Sequence, residues 1–190
     1  MPSPAIQNLV EIVRTRGLTH FDVAVKLASG EYSHEFIDGK AALARGADLR
    51  LACETMIAGL EERGIAYDAV GGLTMGADQF AHGIALITGC EWFVVRKEPK
   101  NRGTNKLVEG AKIDATTRVV LIDDVVTTGG SIQKAHDAIV EIGARVVAAV
   151  TLVDRGDVAA AYFTERSIPY LSIVTYRDLG IEPVGPVATA

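Results

Sequence analysis

A chain of 190 residues with 48% hydrophobic and 23% charged content is long enough for one compact domain with a real core and too apolar to be disordered. A net charge of −5 and a pI near 5.4 argue against general affinity for nucleic acid or an anionic membrane, so any anion must be held locally. Apolar stretches such as 142–153 are too short and interrupted to span a bilayer, and the N-terminus lacks a basic start followed by an apolar run, so a cytoplasmic protein is expected.

In chain order, Ile6, Leu9, Val10 and Val13 fall at helical spacing, which predicts a helix over 5–16 stopped at Gly17. Segments 21–27 and 35–38 read as extended and flank a Ser-Gly turn, which predicts a small antiparallel hood. A helix over 48–63, a strand over 67–72, a helix over 76–88 and a strand over 91–96 follow. The alternation resumes with a strand over 118–123, a helix over 131–142, a strand over 145–153, a helix over 158–165 and a strand over 170–173. The expected fold is therefore α/β, a parallel sheet flanked by helices with a small N-terminal hood. One domain spans 1–190, with helix and hood in 1–40, the α/β core in 41–180 and a frayed tail at 182–190. Cys53 and Cys90 are expected as buried small hydrophobes, and His20, His34, His82 and His136 lack metal-ligand spacing.

Residues 119–131 are the most informative stretch. Val119, Val120, Leu121 and Ile122 suit a strand covered on both faces, and Asp123 and Asp124 emerge where it leaves the core. Paired carboxylates accept hydrogen bonds from vicinal hydroxyls or from the outer shell of a magnesium ion. Val125 and Val126 lead into Thr127, Thr128, Gly129 and Gly130, a turn without bulky side chains, and Ser131 can start a helix whose N-terminal amides favour an anion. Ordinary strand-to-helix construction would look similar; Walker A and dinucleotide fingerprints are absent.

Three other segments carry candidate chemistry. Arg96, Lys97, Lys100, Arg102 and Lys106 crowd a loop broken by Pro99 and Gly103, either a solvated charged loop or cations that close over a departing anion. Gly71, Gly72, Thr74 and Gly76 form a turn that permits close backbone approach, or simply joins a strand to a helix. Arg155 ends an apolar strand, where it either pairs with Asp154 or Asp157 or receives an anion.

The acid strand with its Thr-Gly turn resembles the phosphoribosyl diphosphate motif of the type I phosphoribosyltransferases. The basic loop, followed by Leu107, Val108, Glu109 and Gly110, resembles that of their orotate branch. The resemblance runs from the hood to Arg155 and implies a magnesium-dependent glycosyl transfer of pyrimidine biosynthesis. Orotate and phosphoribosyl diphosphate would give orotidine 5′-phosphate and pyrophosphate. It also implies a homodimer whose basic loop reaches the neighbouring active site. Carried over by position, Asp123, Asp124, Lys100 and Arg102 are catalytic. Gly72, Thr74, Arg96, Lys97 and Lys100, with residues 123–131, bind phosphoribosyl diphosphate. Thr127, Arg155, Phe36 and Lys26 meet orotate, and Phe36 is otherwise a core residue. No residue is expected to ligate metal directly, because magnesium would ride on the diphosphate and ribose oxygens. Two positions depart from the pattern: Arg102 stands where many members carry histidine, and Ala28 where many carry lysine, with Lys26 two residues earlier. Rival readings are transfer to another base, or a regulator that binds phosphoribosyl diphosphate without turnover.

Overall fold

The computed structural model describes residues 2–98 and 106–185. Helix α1 (Pro4–Ile12) opens with Ser3, whose hydroxyl accepts from the Ile6 amide at 3.3 Å, and runs into a π-helical turn, Val13–Gly17. Strands β1 (Leu18–Lys26) and β2 (Tyr32–Ile37) pair antiparallel with a bulge between His20 and Val25, forming the expected hood. The sequence reading placed no element at α2 (Gly39–Ala42), because four residues carry no periodicity. Asp38 caps it, accepting from the amides of Lys40 at 3.0 Å and Ala41 at 3.1 Å. Gly17 packs against it so closely that a methyl there would lie 2.9 Å from the Ala42 Cβ.

The core alternates strand and helix: α3 (Gly46–Glu61), β3 (Ala69–Leu73), α4 (Asp78–Thr88), β4 (Glu91–Val95), β5 (Val108–Gly110), β6 (Arg118–Val126), α5 (Gly130–Ile142), β7 (Arg145–Asp154), α6 (Val158–Glu165), β8 (Tyr170–Thr175) and α7 (Tyr176–Leu179). The sheet runs in the order β5-β4-β3-β6-β7-β8. All neighbouring pairs are parallel except β4 with the short edge strand β5, which the alternation pattern did not foretell. Side chains on β6 divide between two core layers: Val120 and Ile122 join α1, α3 and α4, whereas Val119 and Leu121 join α5 and α6. That division explains why the strand reads as an unbroken apolar run. None of the described helices is long and apolar enough to cross a membrane.

Two boundaries differ from expectation in ways that shape the site. Strand β6 continues to Val126, so Asp123 and Asp124 lie inside a strand; Asp123 pairs with Thr151 and Val126 with Asp154 on β7. Of the expected frayed tail, residues 186–190 lie outside the described residues, while 182–185 include one core contact. Val184 is buried and its amide donates to the Arg155 carbonyl at 2.7 Å, an apolar contact plus a backbone bond that residue type alone did not signal.

The strand order reverses between β3 and β6, the place where open α/β sheets bind ligands. Here β3 approaches both of its neighbours through glycine: a methyl on Gly72 would overlap the Ile122 carbonyl on β6, and one on Gly71 the Phe93 carbonyl on β4. Gly72→Ala is therefore expected to cost about 3 kcal/mol or more, because neither backbone can yield without breaking sheet pairing. Chemical denaturation checks this, and a wild-type midpoint would refute it.

Candidate active site

At the switch point, β6 carries two almost fully buried carboxylates side by side. Asp123 Oδ1 accepts from the Asp124 amide at 3.0 Å, and Asp124 Oδ1 from the Val125 amide at 2.8 Å. Burial first, and then the negative charge of Asp124, push the Asp123 carboxyl from its ordinary 3.8 up to about 8. Asp124 is balanced by Lys40 on α2, whose Nζ lies 2.8 Å from Oδ2; this hydrogen bond holds the ammonium above its usual pKa. Gly76 faces the pair. Any side chain there would start 2.6 Å from Asp124 Oδ1 and 2.7 Å from Asp123 Oδ1, so glycine is what lets the loop after β3 lie against the two carboxylates.

Beyond the acids, the chain turns through Thr127, Thr128 and Gly129, the last in the left-handed region at φ 79°, and enters α5 without a side-chain cap. The helix begins at Gly130, one residue before the expected start at Ser131. Its first amides face a cleft of about 370 Å³ floored by this turn and Asp123 and roofed by Ala28 and Ser29 from the hood tip. Lys97 and Lys134 stand on its walls. Two cations beside uncapped amides suit a phosphate, and a protein of net charge −5 supplies that positive field only locally.

The remaining predicted residues are placed unevenly. Val125, Val126 and residues 127–131 line the cleft with Asp123 and Lys97. Gly72 lies within β3 beneath Ile122, and Thr74 is occupied: its hydroxyl donates to Asp78 Oδ2 at 2.8 Å and its amide to the Val95 carbonyl at 2.8 Å. Arg96 turns towards β5, with Nη1 3.3 Å from Glu109 Oε1. Lys100 and Arg102 lie outside the described residues. Phe36 is 44% exposed and so is not a core residue; it alternates away from Ser33 on β2. Lys26 is exposed where β1 ends, opposite Tyr32, and the strand alternation that would align it with Ala28 stops there.

Arg155 joins neither candidate acid. Asp154 accepts from the Tyr170 hydroxyl at 2.8 Å and from the Gly156 amide at 3.1 Å, while Asp157 pairs with Arg177 at 3.3 Å. The guanidinium is 1% exposed and passes under the hood, where Nη1 donates to the Glu35 carbonyl at 2.8 Å and Nη2 to Ser33 Oγ at 3.1 Å. Three residues of this site escaped the sequence reading. Lys134 was findable, since helical spacing puts it on the face of Gly130 and Ser131. Lys40 and Glu35 carry no local signal, because their partners are remote in sequence.

Comparison with known proteins bears on this geometry. Residues 41–162 match the model of the phosphoribosyl transferase domain family. The orotate phosphoribosyltransferase of Mycobacterium avium is 34% identical over 186 residues, covering 95% of this chain and 99% of that one. That of Thermococcus gammatolerans is 35% identical over 154 residues, 80% of each. The crystal structure of the Mycobacterium tuberculosis H37Rv orotate phosphoribosyltransferase in complex with 5-phospho-alpha-D-ribosyl 1-diphosphate superposes with a TM-score of 0.75. It is 32% identical and covers 94% of this chain and all of that one.

The raised Asp123 carboxyl makes a stability prediction. Between pH 4 and 8 the unfolded chain ionises this group while the folded one keeps its proton, so its contribution to stability is full below 3.8 and lost as pH rises through 8. Asp123→Asn removes that penalty. Its melting temperature is expected to exceed wild type by about 5 °C at pH 8, with the gap closing towards pH 4. A gap that widens on acidification would contradict the assignment.

Proposed function

The chain belongs to the phosphoribosyl transferase domain family and, within it, to the orotate phosphoribosyltransferases; on this premise we propose that it converts orotate and phosphoribosyl diphosphate to orotidine 5′-phosphate and pyrophosphate. The observation that carries the reading is the convergence, at the β3–β6 switch point, of a buried acid pair and an uncapped helix start flanked by Lys97 and Lys134; a buried arginine lies under the hood just past the end of β7.

In this reading the turn at 127–131 holds the 5′-phosphate through backbone amides, with Lys134 adding charge. Asp123 and Asp124 meet the ribose hydroxyls, and the Asp124 carboxylate, paired with Lys40, faces the positive charge that grows on the sugar as its bond to the diphosphate breaks. The base nitrogen takes the vacated anomeric carbon, so no covalent enzyme intermediate is needed and positioning supplies much of the rate. Lys97, with Lys100 and Arg102 assigned from sequence, compensates the charge gathering on the leaving pyrophosphate. Arg155 selects a base that bears a carboxylate, under the hood that carries Phe36 and Lys26. The donors fit magnesium that arrives on the substrate: Lys40 already engages Asp124 at 2.8 Å, and no cluster of three ligating side chains occurs among the described residues. Asp123 and Asp124 would meet the ion through water and hydroxyls, and it would neutralise diphosphate charge. The proposal keeps the homodimer, with the basic loop completing the neighbouring site, and the cytoplasmic location.

A turnover assay with magnesium and phosphoribosyl diphosphate, run on orotate with uracil, hypoxanthine and adenine in parallel, is expected to consume orotate alone. Consumption of another base instead would keep the sugar site and discard the orotate reading. Arg155→Leu is expected to lower kcat/KM for orotate by roughly 100-fold, the range for removing one partner of a buried charge pair, with phosphoribosyl diphosphate binding by calorimetry reporting that the fold survives. Lys100→Ala is expected to lower kcat by about 100-fold with little change in orotate KM, since its charge matters most as pyrophosphate leaves. Unaltered turnover in that variant would refute the loop assignment.

A further inference from the structure

The carboxylate of Glu35 lies beside the buried guanidinium of Arg155. Its Oε2 is 3.8 Å from Arg155 Nη2 and accepts from the Ser33 hydroxyl at 3.1 Å. Oε1 lies 3.3 Å from Nδ1 of His20 on β1. The Glu35 side chain is 14% exposed against 1% for Arg155, so of the two it is the one solvent reaches. Arg155 does not line the cleft, yet its Nε is buried and finds no hydrogen-bond partner among the described residues. A buried guanidinium with one donor unused and an acid of its own chain at the next is a carboxylate site already partly filled.

We propose that Glu35 is a specificity-determining residue: in the free protein it stands in for the substrate carboxylate at Arg155, and orotate binds by displacing it. The inference rests on the orotate reading above. Displacement is feasible because the two roles of Glu35 are carried by different atoms. The backbone carbonyl, 2.8 Å from Nη1, and Ser33 Oγ orient Arg155 and stay put, while the side chain can withdraw towards exposed His20. The cost of separating that carboxylate from the guanidinium is subtracted from the affinity for every carboxylate-bearing ligand and leaves other ligands untouched.

Charge and position can therefore be separated by mutation. In Glu35→Gln the backbone carbonyl and the side-chain volume remain and the competing charge goes. KM for orotate is expected to fall about fivefold, without a matching fall in that for phosphoribosyl diphosphate; Glu35→Ala should move the same way. Equilibrium binding supplies a readout besides turnover: affinity for orotidine 5′-phosphate should rise about fivefold relative to uridine 5′-phosphate, which lacks the carboxylate. An orotate KM that is unchanged, or that rises because the carboxylate was holding Arg155 in place, overturns the inference. Wild-type protein that consumes no orotate refutes the functional reading instead, so the two failures are distinguishable.

Discussion

Two carboxylates buried next to each other at the centre of a sheet are a constraint that the surrounding structure has to meet. Their mutual repulsion and desolvation would destabilise any fold that enclosed them without compensation. One answer is chemical: Asp123 tends to keep its proton, and Lys40 reaches across from the hood side to Asp124. The other is steric. Glycine at 76 lets the loop after β3 lie against the acids, and glycines at 71 and 72 let β3 lie close enough for the sheet to hold its order at that point. Sites of this kind are held at some expense of stability, which is a common signature of function.

Around the acids, charge is distributed against the average of the molecule. The protein is net acidic, yet Lys97 and Lys134 line the same cleft as the helix start at Gly130. Because screening acts within about 10 Å at moderate salt, such a local cluster governs the cleft whatever the total charge. An acidic surface with a basic interior corner favours small multiply charged anions over polyanionic polymers, consistent with a nucleotide precursor as ligand.

The hood and the core are joined through Arg155. Its side chain reaches Ser33 and Glu35 on β2, its amide donates to the Val126 carbonyl at 2.8 Å, and its own carbonyl accepts from Val184. One residue thus fastens the hood, the end of the acid strand and the C-terminal segment to each other. The position of its guanidinium is consequently coupled to that of the hood, a coupling that a surface arginine could not provide.

Much of this was legible in sequence because it depends on local pattern. The apolar run 119–122 suits a strand covered on both faces, the Thr-Gly turn suits free amides, and strand-helix alternation implies a parallel sheet. What sequence could not settle were pairings between residues far apart in the chain: Lys40 with Asp124 across 84 positions, and Arg155 with Ser33 across 122. Local spacing offered Arg155 the neighbouring Asp154 and Asp157, but a strand alternates its side chains and Tyr170 and Arg177 had already claimed those acids. The family and the Thr-Gly turn after the acid strand were legible in sequence alone, since each motif behind them is a short contiguous stretch. Which cation guards the acids, and which carboxylate faces the arginine, was decided only when the hood folded over the sheet, because such contacts exist only once distant segments share one volume.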